Sequence, residues 1–181
     1  QHQGSSYGSM GSLIQPSQEH FENLLATDLS QTDKNIPLWL EDESRFIGKR
    51  QIPDALFDQM RTAPVINMLV PASERISFLV QEYGKLDKAF LIESTSRIGK
   101  RLGPEQTRDA IAAIEDNRMT DFIRIVLVYY DKTYTSGQGK RVEESIHSIE
   151  CENTNTQKNA LQLLKHLKSN QLQDKDFIVY R

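Results

Sequence analysis

Glu41-Asp42-Glu43-Ser44-Arg45 sets three carboxylates, a hydroxyl and a guanidinium at the end of an apolar run, Ile36-Pro37-Leu38-Trp39-Leu40. In nucleotide-binding α/β proteins, acids at the C-terminal end of a buried strand hold a magnesium ion or a water beside phosphates. Adjacent residues of an extended strand point to opposite faces, so at most two of the three acids can share a site. Asp42 and Glu43, with Ser44, are the favoured set. Arg45 is either a phosphate contact or the ion-pair partner of those acids. Gly4, Ser5 and Ser6, with Gly8 close behind, either bring backbone amides and hydroxyls to an anion or form a flexible stretch. Arg75, at a helix start, either reaches a phosphate or is a solvated surface arginine.

A second constellation lies further along. Tyr129, Tyr130 and Tyr134 alternate with Arg124, Lys132, Lys140 and Arg141. Aromatic faces for bases, interleaved with cations for phosphates, suit single-stranded loops of RNA. The competing reading is that Tyr129 or Tyr130 belongs to a core, its hydroxyl bonded to Asp131 or another acid. Arg101 joins the candidate RNA contacts. His2, His20, His147 and His166 have no metal-ligand spacing with Cys151, so no metal site is assigned. Cys151 lies in an expected buried strand without a nearby base to lower its pKa, which fits a structural thiol and no catalytic residue.

The composition sets limits. The chain has 181 residues, 38% hydrophobic and 26% charged, which suits one sizeable core or one core with a subdomain. No apolar run approaches the ~20 residues of a membrane span, and a single cysteine fits a reducing cytoplasm. The net charge of −3 gives no general attraction to nucleic acid, so such binding requires a local patch. Residues 84–142 hold 11 Lys/Arg against 8 Asp/Glu, whereas residues 1–84 hold 6 against 11. The middle block is the local basic surface.

Periodicity supplies the elements that position these residues. Ser17 is a candidate N-cap for a helix to Leu29 with Phe21, Leu24 and Leu25 on one face. The opening strand follows at Ile36–Leu40. Arg45 to Gln51 reads as a polar connector, and Pro53 starts a helix over Asp54–Met60. Val65–Val70 is a second strand, and Pro71 opens a helix reaching Tyr83. From Gly84 to Val142 the pattern is helical only: 88–102, stopped by Gly103-Pro104, then 105–117 and 120–134. Ile146–Cys151 returns to strand, 157–167 is a helix after Thr154-Asn155-Thr156, and 176–181 is a short strand or a frayed end. The expected class is α/β: a parallel sheet in two segments, 1–84 and 143–181, with a helical insertion over 85–142.

This order of parts resembles the second half of a P-loop NTPase of the nucleotide-kinase type, without its phosphate loop. No G-x-x-x-x-G-K-[ST] stretch occurs: Gly48-Lys49, Gly99-Lys100 and Gly139-Lys140 lack the upstream Gly and the following Ser or Thr. The wording is more specific. His2-Gln3-Gly4-Ser5-Ser6-Tyr7-Gly8, Gln15-Pro16-Ser17-Gln18 with Phe21-Glu22-Asn23, and Leu40-Glu41-Asp42-Glu43-Ser44-Arg45 with Ile47-Gly48 form one set. Arg101-Leu102-Gly103, and Tyr129-Tyr130-Asp131-Lys132 with Tyr134, complete it. In that order these segments resemble the C-terminal part of bacterial tRNA 2-selenouridine synthases.

The resemblance implies an incomplete P-loop NTPase-like parallel sheet with an all-helical insertion. It implies a cytoplasmic transferase that replaces sulfur by selenium at the wobble 2-thiouridine of tRNA. Selenophosphate and geranyl diphosphate would be the substrates, with no cofactor held by this chain. The partners implied are tRNA and an N-terminal rhodanese and phosphate-loop portion of the same protein, so this chain alone is expected to be inactive. A nucleotide or small-molecule kinase-like fragment and a non-catalytic binding module are the alternatives. In kinase-type sheets the absent strand lies between those at Leu38 and Val65. Two unpaired edges, and instability of the isolated chain, are therefore expected.

Overall fold

A computed structural model describes residues 6–7, 14–33, 35–42, 44–138, 141, 145–172 and 177–180. They form two compact units. One comprises residues 1–13 and 71–140, the other residues 14–70 and 141–181.

The second unit is α/β. Helix α1 (Gln18–Ser30) is capped as expected, the Ser17 hydroxyl accepting from the His20 N–H, but it has no buried residue and Leu24 is 49% exposed. Strand β1 (Leu38–Glu41) follows, then a hairpin of β2 (Phe46–Ile47) and β3 (Arg50–Gln51). Helix α2 (Asp54–Thr62) leads to β4 (Val65–Leu69). After the helical unit come β5 (Ile146–Glu150), α7 (Thr156–Ser169) and β6 (Phe177–Tyr180).

The main sheet is parallel, in the order β1-β6-β4-β5. The alternation of strand side chains divides its two faces between helices. Leu40 and Val65 pack with Ile52, Leu56, Phe57 and Met60 on the α2 face. Trp39, Ile66 and Met68 pack with Ile149, Cys151, Leu163 and Leu167 on the α7 face. Apolar residues on successive strand positions are what a sheet covered on both faces requires.

Two expectations change. The edges expected to be unpaired are occupied, because β6 lies between β1 and β4. Leu38 to Glu41 pair with Phe177 to Tyr180, and Val65 and Ile66 pair with Val179 and Tyr180. The proposed cause of instability is thereby absent. The stretch expected to be a plain connector is a hairpin. Its two-residue loop, Gly48-Lys49, has Gly48 at φ +62°, as a type II′ turn needs at its first central position.

The other unit is helical: α3 (Ala72–Tyr83), α4 (Lys88–Leu102), α5 (Pro104–Glu115) and α6 (Met119–Gln138). Its grouping starts at Pro71 rather than at residue 85, and the reason is packing. Ile76, Leu79, Val80 and Tyr83 of α3 lie on the core formed by Leu91, Ile98, Ala110, Ala113, Ile114, Phe122, Ile123 and Val126. Gly103 both ends α4 and precedes α5 at φ +104°, a conformation that any side chain would strain. Pro104 then takes the first helical position, where its missing N–H costs nothing.

Candidate functional site

The carboxyl end of β1 is where the acidic cluster sits, and its geometry is that of an internal ion pair. Asp42 is 6% exposed. Its Oδ1 accepts from Nη2 of Arg141 at 2.7 Å, and both side chains are 1% exposed. Arg61 Nη1 lies 3.8 Å from the same oxygen. Arg141 Nη1 donates to the carbonyls of Met60 and Arg61, both at 3.0 Å, and of Ala63 at 3.3 Å. The last carbonyls of a helix have no intrahelical donor and carry the negative end of its dipole, so a guanidinium satisfies both needs there. Arg141 thus locks the C-terminus of α2 to the end of β1.

This placement bears on two candidates. Arg141, expected among the tRNA contacts of the helical block, belongs to the α/β unit and turns its guanidinium inward. Asp42, expected to face a metal or phosphate, faces two arginines. Glu43 lies outside the described residues. Ser44 is exposed and donates to the Phe46 carbonyl at 2.8 Å. Arg45 is an ion-pair partner, but of Asp54 (3.1 Å) rather than of the acidic cluster, and its guanidinium lies 5.0 Å from the Phe57 ring centroid. Its side chain remains 42% exposed.

Ser6 and Arg75 belong to the helical unit, so the expected phosphate set is divided between the two units. Gly4 and Ser5 lie outside the described residues. The Ser6 N–H donates to the Tyr130 hydroxyl (3.2 Å) and its own hydroxyl donates to the Ser94 carbonyl (2.9 Å). Tyr7 beside it is 1% exposed, with its hydroxyl 3.0 Å from Thr95 Oγ1 and its ring edge-on to Phe122. Ser6 and Tyr7 are therefore pinned to the helical core. Burial drives the Tyr7 and Tyr130 hydroxyls well above their ordinary pKa. Arg75 forms a bidentate pair with Asp131 (2.7 and 2.8 Å), whose hydrogen bonds raise its pKa further.

The remaining tRNA candidates are spread around the bundle. Arg101 is exposed in the last turn of α4, and Arg124 has 65% side-chain exposure, 3.8 Å from Asp121. Tyr130 is half-buried and lies against Tyr129 and Tyr134, of which Tyr134 is 43% exposed. Lys132 is exposed, but two residues along a helix is a turn of about 200°, so it cannot share a face with Tyr130 or Tyr134. Lys140 lies outside the described residues. Cys151 is buried, which pushes its thiol up and away from nucleophilic use. Among the described residues no group of three or more His, Cys, Asp or Glu could hold a metal, and no helix is long and apolar enough to cross a membrane.

Sequence reasoning missed Arg61 and the roles of Gln15 and Gln18. Gln15 donates to the Ile47 carbonyl (2.8 Å) and accepts from the Lys49 N–H (2.7 Å). Gln18 bonds both the carbonyl (2.8 Å) and the N–H (2.9 Å) of Gln51. Two side-chain amides do for the hairpin what a neighbouring strand would do. No local pattern in the sequence signals these long-range bonds.

Fold and site together define an α/β protein whose parallel sheet is interrupted by an all-helical unit. Residues 1–114 match the family described as the tRNA 2-selenouridine synthase AAA domain, and the chain belongs to that family. It is 31% identical over 176 residues to the tRNA 2-selenouridine synthase of Aeromonas salmonicida, covering 80% of this chain and 47% of that protein. It is 39% identical over 85 residues to the one from Nitrosomonas europaea (45% and 22%), and 35% over 116 residues to the one from Cupriavidus necator (62% and 31%). The chain thus spans less than half the length of these curated relatives. No solved structure matches it.

Proposed function

We propose that this chain is the tRNA-holding part of a tRNA 2-selenouridine synthase, a transferase of the cytoplasm. In this reading it binds tRNA and phosphate-bearing groups while sulfur is replaced by selenium at the wobble 2-thiouridine through a geranylated intermediate. Selenophosphate and geranyl diphosphate are the substrates, and an N-terminal rhodanese and phosphate-loop portion of the same protein supplies the sulfur chemistry. Family membership carries the reading, and the parallel sheet with helices on both faces is consistent with a P-loop-like frame. The chain's own contribution is positioning. Exposed Arg101 and Arg124 meet phosphates, and one side of α6 adds either Lys132 to a phosphate or the exposed Tyr134 ring to a base. In the α/β unit, exposed Ser44 and half-buried Arg45 lie just beyond the carboxyl end of β1 and are offered to a phosphate.

A salt-dependent titration with a tRNA transcript tests this. Arg124→Ala should weaken binding and lower the salt slope by about one, as for one lost phosphate contact. Lys132→Ala and Tyr134→Ala lie on opposite sides of α6, so one of them should weaken binding and the other should not. Unchanged affinity in all three would overturn the assignment of the helical unit to tRNA.

A further inference from the structure

We propose that the β2–β3 hairpin is an RNA-contacting finger of the α/β unit, with Phe46 as a stacking platform for an unpaired base and Lys49 as a phosphate contact. The inference rests on the tRNA reading and adds a second contact region to it. Three observations carry it.

The first is Phe46 itself. It is 51% exposed, whereas its strand neighbour Ile47 is half-buried. Residues directly opposite in an antiparallel pair share a face. Ile47 and Arg50 are partners, and Ile47 packs inward against the cluster containing Ile52, Met60 and Val65. Phe46 and Gln51 are the other pair, so the ring projects on the outer face beside Gln51, whose side-chain amide donates to Asp54 Oδ1 at 3.0 Å. An exposed flat aromatic face is how proteins take up a single-stranded base, by stacking on its ring.

The second is charge. Residues 44–52 carry Arg45, Lys49 and Arg50 and no acid, within a region, 1–84, that is otherwise acidic. Lys49 is exposed at the loop and makes no ion pair among the described residues. Arg45 is held in place by Asp54 and Phe57 while its side chain stays 42% exposed. With Arg50 on the Ile47 face and Arg45 paired to Asp54, Lys49 is the cation offered beside the exposed ring, and the two favour a polyanion with bases over an acidic peptide, which would offer nothing for the ring to stack on.

The third is rigidity. A hairpin of two residues per strand is too short to hold itself. Gln15 and Gln18 supply four hydrogen bonds of 2.7–2.9 Å along its edge, and Gly48 sets the turn. The exposed ring is thus presented on a stiffened support, which lowers the ordering cost of binding.

Fluorescence anisotropy of the whole chain, with a tRNA transcript and with an unstructured oligouridine as separate probes, tests the finger. Phe46→Ala should weaken oligouridine binding roughly 5- to 100-fold, and Phe46→Tyr should restore it. Lys49→Ala should weaken both probes and reduce the salt slope by about one. Both Phe46 and Lys49 are exposed, and circular dichroism of each variant should match the wild type. Wild-type tRNA binding unaffected by Phe46→Ala and Lys49→Ala overturns the finger and leaves the tRNA reading standing. Phe46-dependent oligouridine binding without tRNA binding supports the finger and sinks the tRNA reading. Binding to neither probe overturns both. A wild type that self-associates where Phe46→Ala does not, with RNA affinity unchanged, assigns the face to protein contact and overturns the finger.

Discussion

Arg141 and Asp42 meet at 2.7 Å with both side chains 1% exposed, across 99 positions of sequence. The pair ties the first residue after the helical unit to the end of β1, and through three carbonyls to the end of α2. A buried pair of this kind is weak evidence of net stabilisation, but removing one partner strands the other's charge. Arg141→Ala should therefore destabilise the chain by about 3–5 kcal/mol. Arg141→Lys should recover only part of this, because one ammonium cannot reach four acceptors in a fixed plane. Denaturant midpoints of the three proteins check the order. An Arg141→Ala protein as stable as the wild type would show that the contact is dispensable.

The central position of β6 makes a second prediction. Deleting 177–181 removes the strand that joins β1 to β4, and leaves β4 paired to β5 alone. The α/β unit should then lose cooperative unfolding, while the helical unit, whose core draws on none of these residues, should keep its helical signal. Urea unfolding followed by tryptophan fluorescence reports the first, because Trp39 lies in β1 and is the sole tryptophan. Far-ultraviolet circular dichroism reports the second. Coincident, sharp transitions by both probes would contradict the idea.

Much of the frame was legible because it obeys strong local rules. Val65–Leu69 is an apolar run broken only by Asn67, and α4 ends where Gly103-Pro104 forbids continuation. The hairpin was not legible, since two-residue strands have no period to detect, and its edge is closed by glutamines more than thirty positions away. The candidate sites divided on similar grounds. Charge counting treats every arginine as solvated, so it could not distinguish inward-turned Arg141 from exposed Arg124. The Tyr130 hydroxyl was expected to meet an acid if buried, yet it accepts the Ser6 N–H from 124 positions away. Long-range pairing of polar groups has no signature in a single sequence.

Tyr7 is held in the helical core by packing more than by its hydroxyl. Thr95 Oγ1 also donates to the Leu91 carbonyl (2.7 Å), so it keeps a partner when the phenol is lost. Tyr7→Phe should cost about 1 kcal/mol, the usual net value of one hydrogen bond. Tyr7→Ala should cost about 3–5 kcal/mol, from lost burial beside Tyr83 and Phe122 and the cavity left behind. Thermal or denaturant unfolding of both variants measures the ratio. Equal losses would place the stabilisation in the hydroxyl instead.

His147 on β5 and His166 on α7 have ring centroids 5.7 Å apart, edge to face. Burial, and then the charge of His166, lower the His147 pKa below its ordinary value near 6.5. The folded state therefore binds fewer protons than the unfolded state in the window just below that value. By linkage, stability rises with pH there: the contribution is complete above about pH 6.5 and is lost as pH falls below it. His147→Gln removes the group that must stay neutral, so its stability should depend less on pH between about 7.5 and 5.5 than that of the wild type. Denaturant midpoints at both pH values give the comparison. Parallel decreases in the two proteins would assign the acid sensitivity to other groups.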